Sequence, residues 1–139
     1  MSDSVAYRGS DEIETVVRKL ENCEYSVTDF DHSKHLAVAA RYLVCWGLEE
    51  ALTRMRSSLQ RFTRHHHVKG YHETITRFWL LLVQEFLLSQ PPSKPFTEQV
   101  NELIQCYCDK NILFEYFSRE RWIEPDLKQL YRLDYRCRS

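Results

Sequence analysis

Only three glycines and four prolines punctuate a chain of 139 residues. A sheet needs a turn every few residues, and glycine and proline supply most of them, so this scarcity favours helices. The punctuation is also clustered. Pro91, Pro92 and Pro95 fall together in PPSKP, and Gly47 stands alone in the middle of a long apolar pattern. Between these marks, hydrophobic residues recur at helical spacing.

The periodicity predicts an all-α, single-domain bundle of five to seven helices over residues 1–139. Residues 1–9 lack periodicity and are expected to be frayed. Ile13, Val16, Val17 and Leu20 then define a first helix over about 11–22, with Ser10 or Asp11 as its cap. A second helix begins near Asp31 and carries His35, Val38, Ala39, Tyr42, Cys45 and Trp46 on one stripe, ending at Gly47. The third follows at once, with Leu48, Ala51, Leu52, Met55, Leu59 and Phe62 inward; its arginines, Arg54, Arg56, Arg61 and Arg64, read as a solvated face. The fourth, about 71–89, contains FWLLLVQEFLL and is apolar almost all round, which marks it as central. The Pro-rich stretch 90–96 is a linker within the domain, and Ser93 or Thr97 is expected to cap a fifth helix bearing Val100, Leu103, Ile104 and Tyr107.

Composition excludes several classes of function. The net charge of −1 argues against a nucleic-acid or anionic-membrane partner. No uninterrupted apolar run reaches the roughly 18 residues of a membrane span. Five cysteines (Cys23, Cys45, Cys106, Cys108, Cys137), with no CxxC pair and no signal peptide, predict reduced thiols in the cytoplasm. Cys106 and Cys108 are two apart and diverge on a helix, so they read as small core or boundary residues. The chain has no GxSxG, no P-loop and no glycine-rich dinucleotide turn. A Cys45–His35 nucleophile pair is ruled against by two to three turns of helical rise.

The chemistry concentrates at two helix starts, DHSKHLAV and YHETITRF. Short connections make the second, third and fourth helices antiparallel neighbours in turn, so the second and fourth run parallel with their N-termini together. His32 and His35 are three apart and share a side, and His72 precedes Ile75 and Trp79 at core spacing. Three imidazoles are thus expected at one end of the bundle, with Glu73, Thr76 and Tyr42 in reach as catalytic groups. Neutral imidazole is a ligand for zinc, iron, copper or nickel, so His32, His35 and His72 are candidate ligands of a divalent transition metal. One of His65, His66 and His67, where the third helix ends, is a candidate fourth ligand.

Two other readings stand beside that one. Helix N-termini favour anions, so a carboxylate or phosphate held by the same histidines with Arg41 or Arg77 is a rival. In the plainest account, Asp31 and Thr74 cap helices, Glu73 complements a dipole and the histidines are boundary residues. From another class, the aromatics Phe114, Tyr116, Phe117, Trp122, Tyr131 and Tyr135 would form the surface of a non-catalytic interaction module.

The run FDHSKHLAVAARYLVCWGLEEA, followed by LQRF and KGYHETIT, resembles a group of small bacterial helical proteins without assigned activity. They share F-x-H-x-x-H-L and Y-H-E-T-I-T motifs, and the likeness spans about residues 30–83. The resemblance implies a site containing His32, His35, His72, Glu73 and Thr74 without naming its chemistry. The expectation is therefore a small metal-binding enzyme acting on a small molecule, of unresolved reaction type and oligomeric state.

Overall fold

A computed structural model describes residues 7–69 and 71–109. Every regular element among them is a helix: α1 (Ser10–Glu21), α2 (His32–Trp46), α3 (Leu48–His65), α4 (Glu73–Leu88) and α5 (Phe96–Cys106). None is long and apolar enough to cross a membrane. The aromatic cluster from Phe114 to Tyr135 lies outside the described residues.

The boundaries of α2 follow from two side chains. Asp31 takes an extended backbone, and its carboxylate accepts from the Lys34 N–H, supplying a partner to one of the helix's unsatisfied first-turn donors. At the other end, Gly47 has φ 83° and ψ 171°, a conformation essentially closed to L side chains. Its N–H bonds to the Leu43 carbonyl and its own carbonyl accepts from the Ala51 N–H, so one residue closes α2 and opens α3.

Elsewhere the caps differ from expectation. The N-cap of α1 is Gly9, with Ser10 already helical, and the N-cap of α5 is Pro95, with Thr97 inside the helix and Ser93 before it. His72, not Thr74, is the N-cap of α4. Backbone geometry selected these positions; a suitable side chain close by was not enough.

The core is continuous. Ile13, Val16, Val17 and Leu20 of α1 pack with Leu36, Ala37, Val38 and Ala40 of α2, and with the apolar faces of α3, α4 and α5. The small side chains Ala37, Ala39 and Ala40 let other helices approach α2 closely, and α2 touches all four of them. The fourth helix packs against α2, α3 and α5 through Ile75, Phe78, Trp79, Leu80, Leu82 and Val83. Its outer face carries Leu81 and Leu88, 44% and 77% exposed. Tyr7 is tied to α5 by a pair of hydrogen bonds, its N–H to Asn101 Oδ1 (2.8 Å) and its carbonyl from Asn101 Nδ2 (2.9 Å).

Several side chains depart from the sequence reading. Cys45 and Trp46 leave the buried stripe and are exposed, as are Cys106 and Cys108. The α3 arginines are more than a solvated face. Arg54 pairs with Glu50 and stacks 3.8 Å over the Trp46 ring, Arg56 pairs with Glu73, and Arg61 donates to the Glu21 carbonyl (2.9 Å).

Candidate functional site

The N-terminal halves of α2 and α4 and the C-terminal half of α3 converge on one pocket, as the parallel arrangement of α2 and α4 requires. Its wall includes His32, His35, Leu36 and Ala39 from α2, and Met55, Leu59, Phe62 and Thr63 from α3. Ile75, Thr76, Trp79 and Leu80 of α4 complete it with Tyr71 and His72, while Val27 and Phe30 close it from the α1–α2 connection. The cavity measures about 60 Å³ by the centres of water-sized spheres. At about 10–15 Å³ per water on that measure, it holds about four to six waters. At about 30 Å³ of liquid per water this is the space of one small ring, about 120–180 Å³.

All three predicted histidines line this pocket, each half-buried. The His32 imidazole lies 3.0 Å through Nε2 from the Tyr107 carbonyl of the α5 end, and its ring meets Trp79 edge-on at 4.6 Å. His35 packs edge-on against Phe30 at 4.7 Å. His72 stands at the N-cap of α4, and its carbonyl accepts both the N–H and the hydroxyl of Thr76. Among the described residues, no three His, Cys, Asp or Glu side chains stand close enough together, as placed, to hold a metal ion. None of His65, His66 and His67 lines the pocket; His66 instead bonds through Nε2 to the Tyr25 carbonyl at 2.8 Å.

Of the three predicted catalytic groups, Thr76 is in the wall and the other two are outside it. Glu73 accepts from Arg56 Nε and Nη2 (2.9 and 2.6 Å), from Arg77 Nε (3.3 Å) and from the Tyr71 hydroxyl (2.6 Å). The Arg56 fork, then the Tyr71 hydroxyl, hold its carboxyl down at about 2, so it stays ionised and is a weak base. Tyr42 lies on the stripe of His35 and Ala39 but two turns further along α2, past the pocket wall. Its hydroxyl donates to Glu21 Oε2 (2.6 Å) and accepts from Ser58 Oγ (2.9 Å), binding α1, α2 and α3 together. Burial and the Glu21 carboxylate both push that phenol well above its ordinary value.

The cations weighed for an anion site are likewise engaged elsewhere. Arg41 pairs with Glu14 of α1, and Arg77 with Glu73. Sequence reasoning missed Tyr71, which lines the pocket and is oriented by Glu73; burial raises its phenol to about 12. Its place in YHETIT, one residue ahead of His72, was the available signal. It also gave Trp79 only a core role. The indole Nε1–H of Trp79, a residue that lines the pocket, is buried and meets no hydrogen-bond acceptor among the described residues.

Compared with known protein families, with curated proteins and with solved structures, the chain matches none.

Proposed function

We propose that this chain is a small helical enzyme of the acid–base type. Its pocket takes one ring-sized molecule, and His32, His35 and His72 act on that molecule's polar group. One observation carries the reading: imidazoles from two helix starts about forty residues apart in sequence line a single, mostly apolar pocket. Neutral imidazole offers both a donor and an acceptor near physiological pH, the equipment of proton transfer. Apolar walls from Leu36, Ile75 and Leu80 supply the affinity, and Tyr71 and Thr76 add orienting hydroxyls. The likeness of FDHSKH and YHETIT to the bacterial group supports the same site, since those motifs contain all three histidines.

A second reading keeps the divalent transition metal, with the three histidines as ligands. The contact from His32 Nε2 to the Tyr107 carbonyl favours it. A ring that donates one N–H to a backbone carbonyl has its other nitrogen fixed as the lone-pair nitrogen, the usual outer-shell arrangement of a metal-ligating histidine. This reading asks the imidazoles to draw together around the ion.

Ala39 provides the test, because it is buried in the pocket wall and a larger side chain there fills the space. A panel of monocyclic compounds, screened by ligand-observed NMR, is expected to contain binders whose signals are lost with Ala39→Leu. A panel without a binder, or binding indifferent to Ala39→Leu, overturns the proposal. Elemental analysis of untagged protein separates the two readings. One equivalent of zinc, iron, copper or nickel, lost in His35→Ala and His72→Ala, selects the metal.

A further inference from the structure

We propose that the molecule this pocket takes is an anion, a ring-sized carboxylate. The inference rests on the pocket reading above and deepens it. It stands on the donor and acceptor balance of the wall. Among the described residues, no Asp, Glu, Lys or Arg lines the pocket, and its polar chemistry comes from three imidazoles, Tyr71, Thr63, Thr76 and the Trp79 indole.

The acceptors and donors in that wall are unequally committed. The Tyr71 hydroxyl spends its hydrogen on Glu73, and the Thr76 hydroxyl spends its hydrogen on the His72 carbonyl. The Trp79 indole N–H is a donor and nothing else, and it is buried with no acceptor among the described residues. An enclosed donor in that state costs stability, and an occupant bringing an oxygen would relieve it. Trp79 is held beside His32 by edge-on ring contact at 4.6 Å, so indole and imidazole form one donor-bearing corner.

The surrounding charges leave that corner receptive to negative charge. The carboxylates of the residues that flank the two helix starts are already engaged. Glu73 is held by Arg56, Arg77 and Tyr71, and Asp31 is held by the Lys34 N–H and the Ser33 hydroxyl. The starts of α2 and α4 add partial positive charge from their first-turn N–H groups at the same end. Among the described residues of the wall a cationic occupant would meet no counter-charge, whereas a carboxylate would meet donors. The ring-sized volume accommodates the apolar body such a carboxylate carries.

Three probes of one shape test the assignment: benzoate, benzamide and benzylamine, titrated into the full chain at pH 7 and followed by ligand-observed NMR. Benzoate is expected to bind at least about tenfold more tightly than benzamide, the step that one charge-assisted hydrogen bond supplies, with benzylamine weakest. Trp79→Phe keeps an aromatic ring and removes the donor. It is expected to weaken benzoate by about threefold to tenfold and benzamide, whose neutral carbonyl accepts the same hydrogen less strongly, by a smaller factor, which a general distortion of the pocket would not do. Benzamide or benzylamine binding as tightly as benzoate overturns the anion assignment and leaves the pocket standing. Failure of all three to bind overturns both. Equal loss of benzoate and benzamide in Trp79→Phe removes the indole from the proposal.

Discussion

Tyr42→Phe is the sharpest test of how this bundle is held together. The side chain is 2% exposed, and the substitution removes one oxygen without changing the ring. That oxygen donates to Glu21 at the end of α1 and meets Ser58 of α3. A hydrogen bond to a charged acceptor contributes about 1.5–3 kcal/mol, and the low end applies because Glu21 is half-exposed and regains water. Ser58, 3% exposed, loses a partner it cannot replace with solvent, adding about 1 kcal/mol. The net expectation is a loss of about 2.5 kcal/mol. With a urea slope of about 1.5 kcal/mol/M, the midpoint of unfolding falls by about 1.7 M. Ser58→Ala on the Tyr42→Phe background should cost about 1 kcal/mol less than on wild type, since the orphaned hydroxyl is then gone. Ring-compound binding should be unchanged, because Tyr42 is outside the pocket wall. A Tyr42→Phe variant within about 0.5 kcal/mol of wild type would refute the reasoning, since a buried hydroxyl bridging three helices cannot then be contributing as described.

Two further expectations concern the backbone and pH. Gly47→Ala should cost about 1–3 kcal/mol in urea unfolding, all of it from the dihedrals, because a Cβ there meets no atom within 4 Å; a neutral result would contradict the strain. At alkaline pH, Tyr7 and Tyr71 are raised to about 12 by burial, so the folded state holds their protons more tightly than the unfolded chain. Their contribution is whole below pH 10 and lost as pH rises toward 12, which a pH series of thermal midpoints reads directly. Glu73 has the opposite sign. Its carboxyl is depressed to about 2, so the stability it contributes is present above about 4.5 and disappears as pH falls toward 2, and Glu73→Gln should flatten that acid limb.

The helices were legible because each stripe is a one-dimensional signal, and Asp31 and Gly47 mark α2 by local chemistry alone. Chain reversal at the short connections carried the site as well, bringing His32 and His35 to His72. Tyr42 shows where such reasoning ends. It shares the stripe of His35 and Ala39 at helical spacing, but two turns further along α2 the neighbours are Glu21 and Ser58, and the pocket has closed. The pairing of Glu73 with Arg56 was hidden for a different reason. It joins residues on different helices, and which arginine on a charged face reaches across depends on the rotation of α3 about its own axis. Cap positions were misread where the chain has no capping side chain to offer, as at Gly9 and Pro95.

The single-residue junction at Gly47 sets the mechanics of the pocket. With α2 ending at Trp46 and α3 beginning at Leu48, the two helices form the arms of a pair of tweezers whose fulcrum is one residue. The pocket lies at the tips, between His32 and His35 on one arm and Phe62 and Thr63 on the other. Fifteen helical residues make an arm about 22 Å long, so a rotation of about 5° at the fulcrum moves a tip by about 2 Å. A change in the two Gly47 dihedral angles would therefore be felt most at the pocket, the far end of both helices.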